Sequence, residues 1–224
     1  MTQILSARKA RASEILFEID AIQCRPDEPF IFTSGWASPV YVNCRKIISM
    51  TWHRREIIQL LAELIESNIG VATFDVVAGG ETAGIPYAAW MAEYFYKPMV
   101  YVRKKPKGFG QNKLIEGDIE AGSKVVIVED LMTDGKSKVH FADALRAEDH
   151  LVDWTVVVFS YGVYPATADN LAGAGLKSCA LTDWHTTLDV AENRGVFSAA
   201  EVAQVREYLA DPAGWSKAHG GVDR

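Results

Sequence analysis

The sequence predicts an α/β protein, a doubly wound, mainly parallel sheet with a small N-terminal hood. Three observations predict it. After Gly70, short apolar runs alternate with longer stretches of helical periodicity. Two of those runs, Val125-Val-Ile-Val128 and Val156-Val-Val-Phe159, are continuous rather than alternating, as in strands covered on both faces. The 224 residues, 49% hydrophobic and 23% charged with 17 Gly and 8 Pro, suffice for one ordinary core but not for a second full domain.

The elements follow in chain order. Residues 6–23 (Ile15, Leu16, Ile19, Ile22) and 51–68 (Ile57, Leu60, Leu61, Leu64, Ile65) space their apolar positions as amphipathic helices do. Between them, Phe30 to Arg45 holds two β-rich runs joined at Ser34-Gly35 to Ser38-Pro39, which reads as a hairpin. Strands are expected at 74–79, 98–103, 124–130, 154–160 and 178–181, with helices at 83–95, 136–147, 165–173 and 198–210. The single domain, 1–224, thus divides into hood elements over about 1–50, a core over about 51–210 and a tail, 211–224, whose Gly, Pro and polar residues should fray. Trp52, Trp90, Trp154 and Trp184 are expected in the core. One long connection, 104–117, has no periodicity, and connections of that length inside a compact domain usually serve as lids or stay disordered. Its charge favours a lid.

Several classes of function drop out. The apolar residues of the N-terminus are interrupted by Arg8, Lys9, Arg11 and Glu14, and no stretch approaches the apolar length of a membrane span, so a cytoplasmic protein with no membrane partner is expected. Cys24, Cys44 and Cys179 are odd in number and widely separated, which reads as reduced thiols. His53, His140, His150, His185 and His219 stand apart from one another, against metal ligation. The net charge of −6 argues against a nucleic-acid surface, which needs clustered cations. Against that average, Arg103-Lys104-Lys105-Pro106-Lys107 is a dense cationic run, fit for a small and strongly anionic ligand.

In open α/β sheets ligands sit beyond the carboxyl ends of the strands. The strand 124–130 ends in Glu129 and Asp130 and runs through Leu131, Met132, Thr133, Asp134, Gly135, Lys136 and Ser137 into a helix. Gly135 permits a tight path, the hydroxyls of Thr133 and Ser137 can donate, and the N–H groups of the helix start attract an anion, so phosphate is the natural guest. Two carboxylates beside a phosphate cradle repel it unless the ligand also brings hydroxyls or a cation, and a phosphorylated sugar carrying Mg²⁺ brings both. Gly135-Lys136-Ser137 is not the end of a nucleotide P-loop, since Asp130 stands where that motif requires glycine.

Val125 to Ser137 resembles the diphosphoribosyl-binding signature of type I phosphoribosyltransferases. Three other segments resemble the orotate phosphoribosyltransferase branch of that superfamily: Phe32-Thr-Ser-Gly-Trp-Ala-Ser-Pro-Val-Tyr-Val-Asn-Cys-Arg45 is similar to its hood, Gly79-Gly-Glu-Thr-Ala-Gly-Ile-Pro86 to its pyrophosphate loop, and Arg103 to Gly117 to its mobile catalytic loop. The resemblance spans roughly residues 10–180. It implies transfer of ribose 5-phosphate from 5-phospho-α-D-ribose 1-diphosphate to N1 of orotate, giving orotidine 5′-monophosphate and pyrophosphate in pyrimidine biosynthesis. By that analogy the donor is held by Arg103, Lys104, Lys107 and the run from Glu129 to Ser137, with the 5′-phosphate on 133–137 and the ribose hydroxyls on Glu129 and Asp130. Lys107, Arg103 and Asp130 are the implied catalytic residues, and Thr133, Tyr41 and Val42 the neighbours of the pyrimidine. The resemblance also implies Mg²⁺ carried by the diphosphate rather than by a protein cage, and a homodimer whose lid closes over the neighbouring subunit's site.

Three positions depart from the family pattern. Phe109 stands where many relatives have His, Thr33 where many have Lys, and Tyr161-Gly-Val-Tyr164 lacks the Arg that often meets the orotate carboxylate, leaving that role to hood N–H groups or Arg45. Two rival readings remain at this stage: a phosphoribosyltransferase for another nucleobase, and a non-catalytic sensor of the phosphoribosyl donor.

Overall fold

A computed structural model of the chain describes residues 2–106, 113–164 and 166–223. From the N-terminus run α1 (Thr2–Glu18) and four short strands, β1 (Ile22–Cys24), β2 (Phe30–Ile31), β3 (Ala37–Ser38) and β4 (Val40–Val42), then a 3-10 turn and α2 (Thr51–Asn68). There follow β5 (Val76–Gly80), α3 (Gly84–Phe95), β6 (Met99–Val102), β7 (Ile115–Glu116), β8 (Lys124–Met132), α4 (Lys136–Arg146), β9 (Leu151–Ser160) and α5 (Ala166–Gly173). The chain closes with β10 (Lys177–Asp183), α6 (Trp184–Arg194), α7 (Ala199–Ala210) and α8 (Pro212–Ala218).

One compact unit comprises Arg54–Ser160 and Pro165–Leu181. Its six-stranded sheet has the order β10-β9-β8-β5-β6-β7, with the neighbours β9/β8, β8/β5 and β5/β6 parallel and β6/β7 antiparallel. The continuous apolar runs are its centre: Val125 to Val128 and Val156 to Phe159 are all buried, as strands with helices on both faces require. In α3 the buried residues Gly84, Tyr87, Ala88, Met91 and Ala92 fall at helical spacing on one face, and Tyr96 closes the helix in the left-handed conformation. The long connection after β6 is shorter than its sequence implied. Ile115 pairs with Val102 in the antiparallel register of β7, and the Arg103 N–H donates to the Leu114 carbonyl at 2.8 Å.

The other unit comprises Met1–His53, Tyr161–Tyr164 and Thr182–Arg224, so the hood shares it with C-terminal helices. The expected helix over 6–23 ends at Glu18, because Asp20 turns left-handed (φ 53°) and Ile22–Cys24 leaves as β1 to pair antiparallel with β4. The hairpin is present as β2 and β3, with the Phe32 N–H donating to the Trp36 carbonyl across it. Helix α6 is absent from the sequence reading, although Asp183 accepts the Thr186 N–H as its N-cap. The tail does not fray as expected. Asp211 caps α8, Pro212 occupies its first turn, Trp215 is buried, and Ser216 Oγ accepts the Ala37 N–H at 2.9 Å. Of the four tryptophans assigned to the core, Trp184 is fully buried, Trp90 and Trp154 are half-buried, and Trp52 is 76% exposed. The three cysteines are free thiols. No helix among the described residues is long and apolar enough to cross a membrane.

Candidate active site

Strands β8, β5 and β6 are consecutive parallel neighbours, so their carboxyl ends lie side by side. Three segments singled out in the sequence leave from those ends. The acid pair lies near the end of β8 with the phosphate loop after it, the glycine turn leaves the end of β5, and the basic segment follows β6.

The phosphate loop is braced from behind by α5. Thr167 Oγ1 donates to the Thr133 carbonyl at 2.9 Å and Asn170 Nδ2 to the Asp134 carbonyl at 2.8 Å, so two loop carbonyls face the protein. Gly135 adopts φ 78° immediately before α4, with Leu171 beneath it. Asp134 accepts the Lys136 N–H at 3.2 Å and pairs with the exposed Lys136 ammonium at 3.3 Å. Thr133 is partly exposed and Ser137 exposed, leaving hydroxyls and helix-start N–H groups available to an anion.

The two acids differ. Asp130 and Leu131 are partly exposed, whereas Glu129 is 6% exposed and Met132 is buried. Glu129 Oε1 accepts the Gly80 N–H at 3.0 Å, and Oε2 lies 2.7 Å from the Lys138 ammonium. Burial pushes the Glu129 carboxyl above the ordinary range, opposed by Lys138 and by the Gly80 N–H. Gly80 and Gly84 are required by this closeness, since a Cβ on either would collide with Glu129 Oε1. The turn between them contains a cis peptide, Glu81-Thr82. Glu81 also accepts the Lys104 N–H at 2.8 Å, tying the start of the basic segment to the glycine turn. Arg103 extends to Glu116 at 3.5 Å, and Lys104 is exposed. Lys107, Gly108, Phe109 and Gly110 lie outside the described residues.

Tyr41 and Val42, expected beside the pyrimidine, are on β4 in the other unit. Val42 is buried, while Tyr41 is 38% exposed and packs against Phe30 and Phe32 with ring centroids 5.5 and 6.3 Å apart. Tyr161, at a position where an Arg was sought, is buried against Phe32 and Trp184, and burial pushes its phenol upward. It is a packing residue there. Arg45 is exposed.

The sequence reading missed Thr167, Asn170, Glu81 and Lys138. Only Lys138 left a clear signal. It falls in phase with Phe141, Ala142 and Leu145, the buried stripe of α4, where a lysine needs a partner.

Comparison with known proteins gives the following. The family model for the phosphoribosyl transferase domain matches residues 52–162. An orotate phosphoribosyltransferase of Cereibacter sphaeroides is 43% identical over 211 residues, 94% of this chain and 91% of that one. One from Rhizobium rhizogenes is 40% identical over 226 residues, 99% of this chain and 97% of its own. The crystal structure of orotate phosphoribosyltransferase from Aeropyrum pernix superimposes with a TM-score of 0.71 at 27% identity, covering 83% of this chain and 99% of that one.

Proposed function

The chain belongs to the orotate phosphoribosyltransferases, pentosyltransferase enzymes of pyrimidine biosynthesis, and from that premise we propose that it transfers ribose 5-phosphate from 5-phospho-α-D-ribose 1-diphosphate to N1 of orotate. The bond from C1′ to the diphosphate oxygen breaks, the bond from C1′ to N1 forms, the N1 proton departs, and orotidine 5′-monophosphate and pyrophosphate are released. The observation that carries the reading is the alignment of a phosphate loop, a glycine turn and a basic segment on the adjacent carboxyl ends of β8, β5 and β6.

That alignment matches a ligand with a phosphate at one end and a diphosphate at the other. The 5′-phosphate takes N–H groups and hydroxyls of the loop 133–137. Asp130, the more exposed acid, receives the ribose hydroxyls. The diphosphate meets the glycine turn, Arg103 and Lys104, and the loop that brings Lys107. Thr133 borders the pyrimidine. Because the leaving group is highly charged and departs from a cation-like ribose, catalysis is chiefly positioning and charge stabilisation.

Mg²⁺ fits this donor set. One partly exposed carboxylate, that of Asp130, beside substrate oxygens is the usual protein share of a nucleotide-type Mg²⁺ site. The ion would offset charge on the departing diphosphate. The same reading makes the protein a cytoplasmic homodimer whose basic loop closes over the neighbouring subunit's site. The exposed Tyr94 and Tyr96 at the end of α3 offer apolar area for such a contact. Mixing Lys107→Ala with Asp130→Asn subunits tests that geometry: activity returns if loops serve the partner's site and stays absent if each chain serves its own.

The deciding experiment follows the ultraviolet absorbance of orotate, with and without donor, in Mg²⁺ or in chelator. Orotate should be consumed only with both donor and metal. Turnover of a purine with no consumption of orotate would overturn the assignment.

A further inference from the structure

Lysine is almost never fully buried unless paired, and a buried ion pair is in general a poor source of stability, because desolvation offsets its attraction. Lys138 is 3% exposed at its side chain and the family reading gives it no task. Its surroundings do. The ammonium lies 2.7 Å from Glu129 Oε2 and 3.3 Å from Ser137 Oγ, and the other Glu129 oxygen accepts the Gly80 N–H at 3.0 Å. One cation therefore joins the turn that follows β5 to the loop that follows β8. Phe141, one turn along α4 from Lys138, lies against Gly80 as well, so the turn is fixed by packing and by hydrogen bonding.

We propose that Lys138 is a positioning residue for the phosphoribosyl donor, setting the spacing between the 5′-phosphate loop and the diphosphate turn through Ser137, Glu129 and Gly80. The inference rests on the donor-site reading above. It assigns the two strand-end acids different work: Asp130 faces the ligand, and Glu129 is a latch whose charge is matched from within. It also answers the repulsion that two carboxylates would present to a phosphorylated guest. With Lys138 beside Glu129 that carboxylate's charge is matched within the protein. A donor held at both ends depends on this spacing, whereas orotate, which meets the phosphate loop at Thr133 alone, depends on it far less.

The test compares wild type, Lys138→Met and the double variant Glu129→Gln/Lys138→Met in steady-state kinetics, with folding checked by circular dichroism. In the double variant a glutamine carbonyl can still accept the Gly80 N–H without a buried charge. Lys138→Met should raise KM for the donor about tenfold or more, the order expected for a lost charged hydrogen bond, while KM for orotate stays within about twofold. The double variant should recover the melting temperature, since matched removal of a buried pair is tolerated, but its donor KM should stay about tenfold or more above wild type, because the link through Lys138 is still absent. A folded Lys138→Met enzyme with unchanged donor KM would overturn the proposal, as would a double variant whose donor KM returns to within about threefold of wild type. So would a uniform loss in which both KM values and kcat move together, the mark of general damage. If Lys138→Met fails to fold, the double variant decides alone, by the same threefold and tenfold limits. A wild-type protein that consumes no orotate and binds no donor would instead remove the functional reading, and this inference with it.

Discussion

Gly84→Ala adds a single methyl group where the structure has no room for one. The new Cβ would fall on Glu129 Oε1, 2.8 Å from Glu129 Cδ and 3.0 Å from the Val128 carbonyl oxygen. That carbonyl belongs to a central strand and cannot withdraw, so the Glu129 carboxylate must rotate away from Gly80 and Lys138. Stripping a buried ammonium of its partner costs about 3–5 kcal/mol, and an orphaned buried N–H about 1–3 kcal/mol. The two losses share one carboxylate and do not add in full, and alanine regains about 1 kcal/mol of helix preference over glycine in α3. A net loss of about 3 kcal/mol remains. At roughly 2–4 °C per kcal/mol for a chain of this size, the melting temperature should fall by about 6–12 °C. Thermal unfolding followed by circular dichroism measures it without any ligand, and the donor KM measured well below the transition should rise with it. A variant that melts within about 2 °C of wild type would show that Glu129 does not depend on the glycine, and the reasoning would fail.

Asp130→Asn should weaken donor binding about tenfold or more by titration calorimetry with little change in melting temperature, and normal affinity would refute its part on the ribose hydroxyls. Lys107→Ala should lower turnover at least about tenfold with the fold intact, because a preorganised charge at the leaving group is lost; an unchanged rate would remove the loop from catalysis. Asp183→Ala should cost about 1–2 kcal/mol as α6 loses its N-cap and Lys9 loses the carboxylate 2.6 Å away. The same carboxyl sets an acid limb. Burial pushes it upward, but the Lys9 ammonium and the Thr186 N–H together outweigh burial and hold it below its usual 3.8, so its contribution is present above that pH and is lost as the pH falls through the lower folded value. Melting curves between pH 7 and 3 should therefore fall more steeply below about pH 4 in wild type than in Asp183→Ala, and parallel curves would refute the assignment.

What the sequence made legible follows from how local each signal is. The continuous runs at 125–128 and 156–159 identify buried strands without reference to the rest of the chain, and the phosphate loop is contiguous, so the parallel sheet and the loop after β8 could be read directly. Periodicity failed where tertiary contact decided. Ile19 and Ile22 are in phase with α1, yet Asp20 breaks the helix because Ile22–Cys24 gains a partner in β4, 18 residues on, that no local pattern announces. The tail looks disordered in sequence because it is rich in Gly, Pro and polar residues. Its order comes from Trp215 and from Ser216 bonding Ala37, 179 residues away in sequence. Within the site, the acid pair was visible as a pair but its division was not. Which acid turns inward depends on Gly80, 49 residues earlier, and on Lys138, nine residues later.

Two kinds of cation thus lie at the candidate site, one buried and one at the partly exposed end of a strand. Lys138 is dry and fully engaged, so its field at the ligand is largely cancelled by Glu129 and its effect is geometric. Arg103 and Lys104 stand at the wet end of β6. The Arg103 contact with Glu116 is partly exposed, and such pairs are worth about 0–1 kcal/mol, so a diphosphate of much higher charge can displace Glu116 at little cost. In water those cations act weakly on the leaving group, because solvent screens charges only a few ångströms apart. On the proposed reading, their effect on a bound diphosphate depends on excluding that solvent. Glu81 fits this division. By accepting the Lys104 N–H at 2.8 Å it ties the root of the basic segment to the glycine turn, so that Arg103 and Lys104 start from a point held beside that turn.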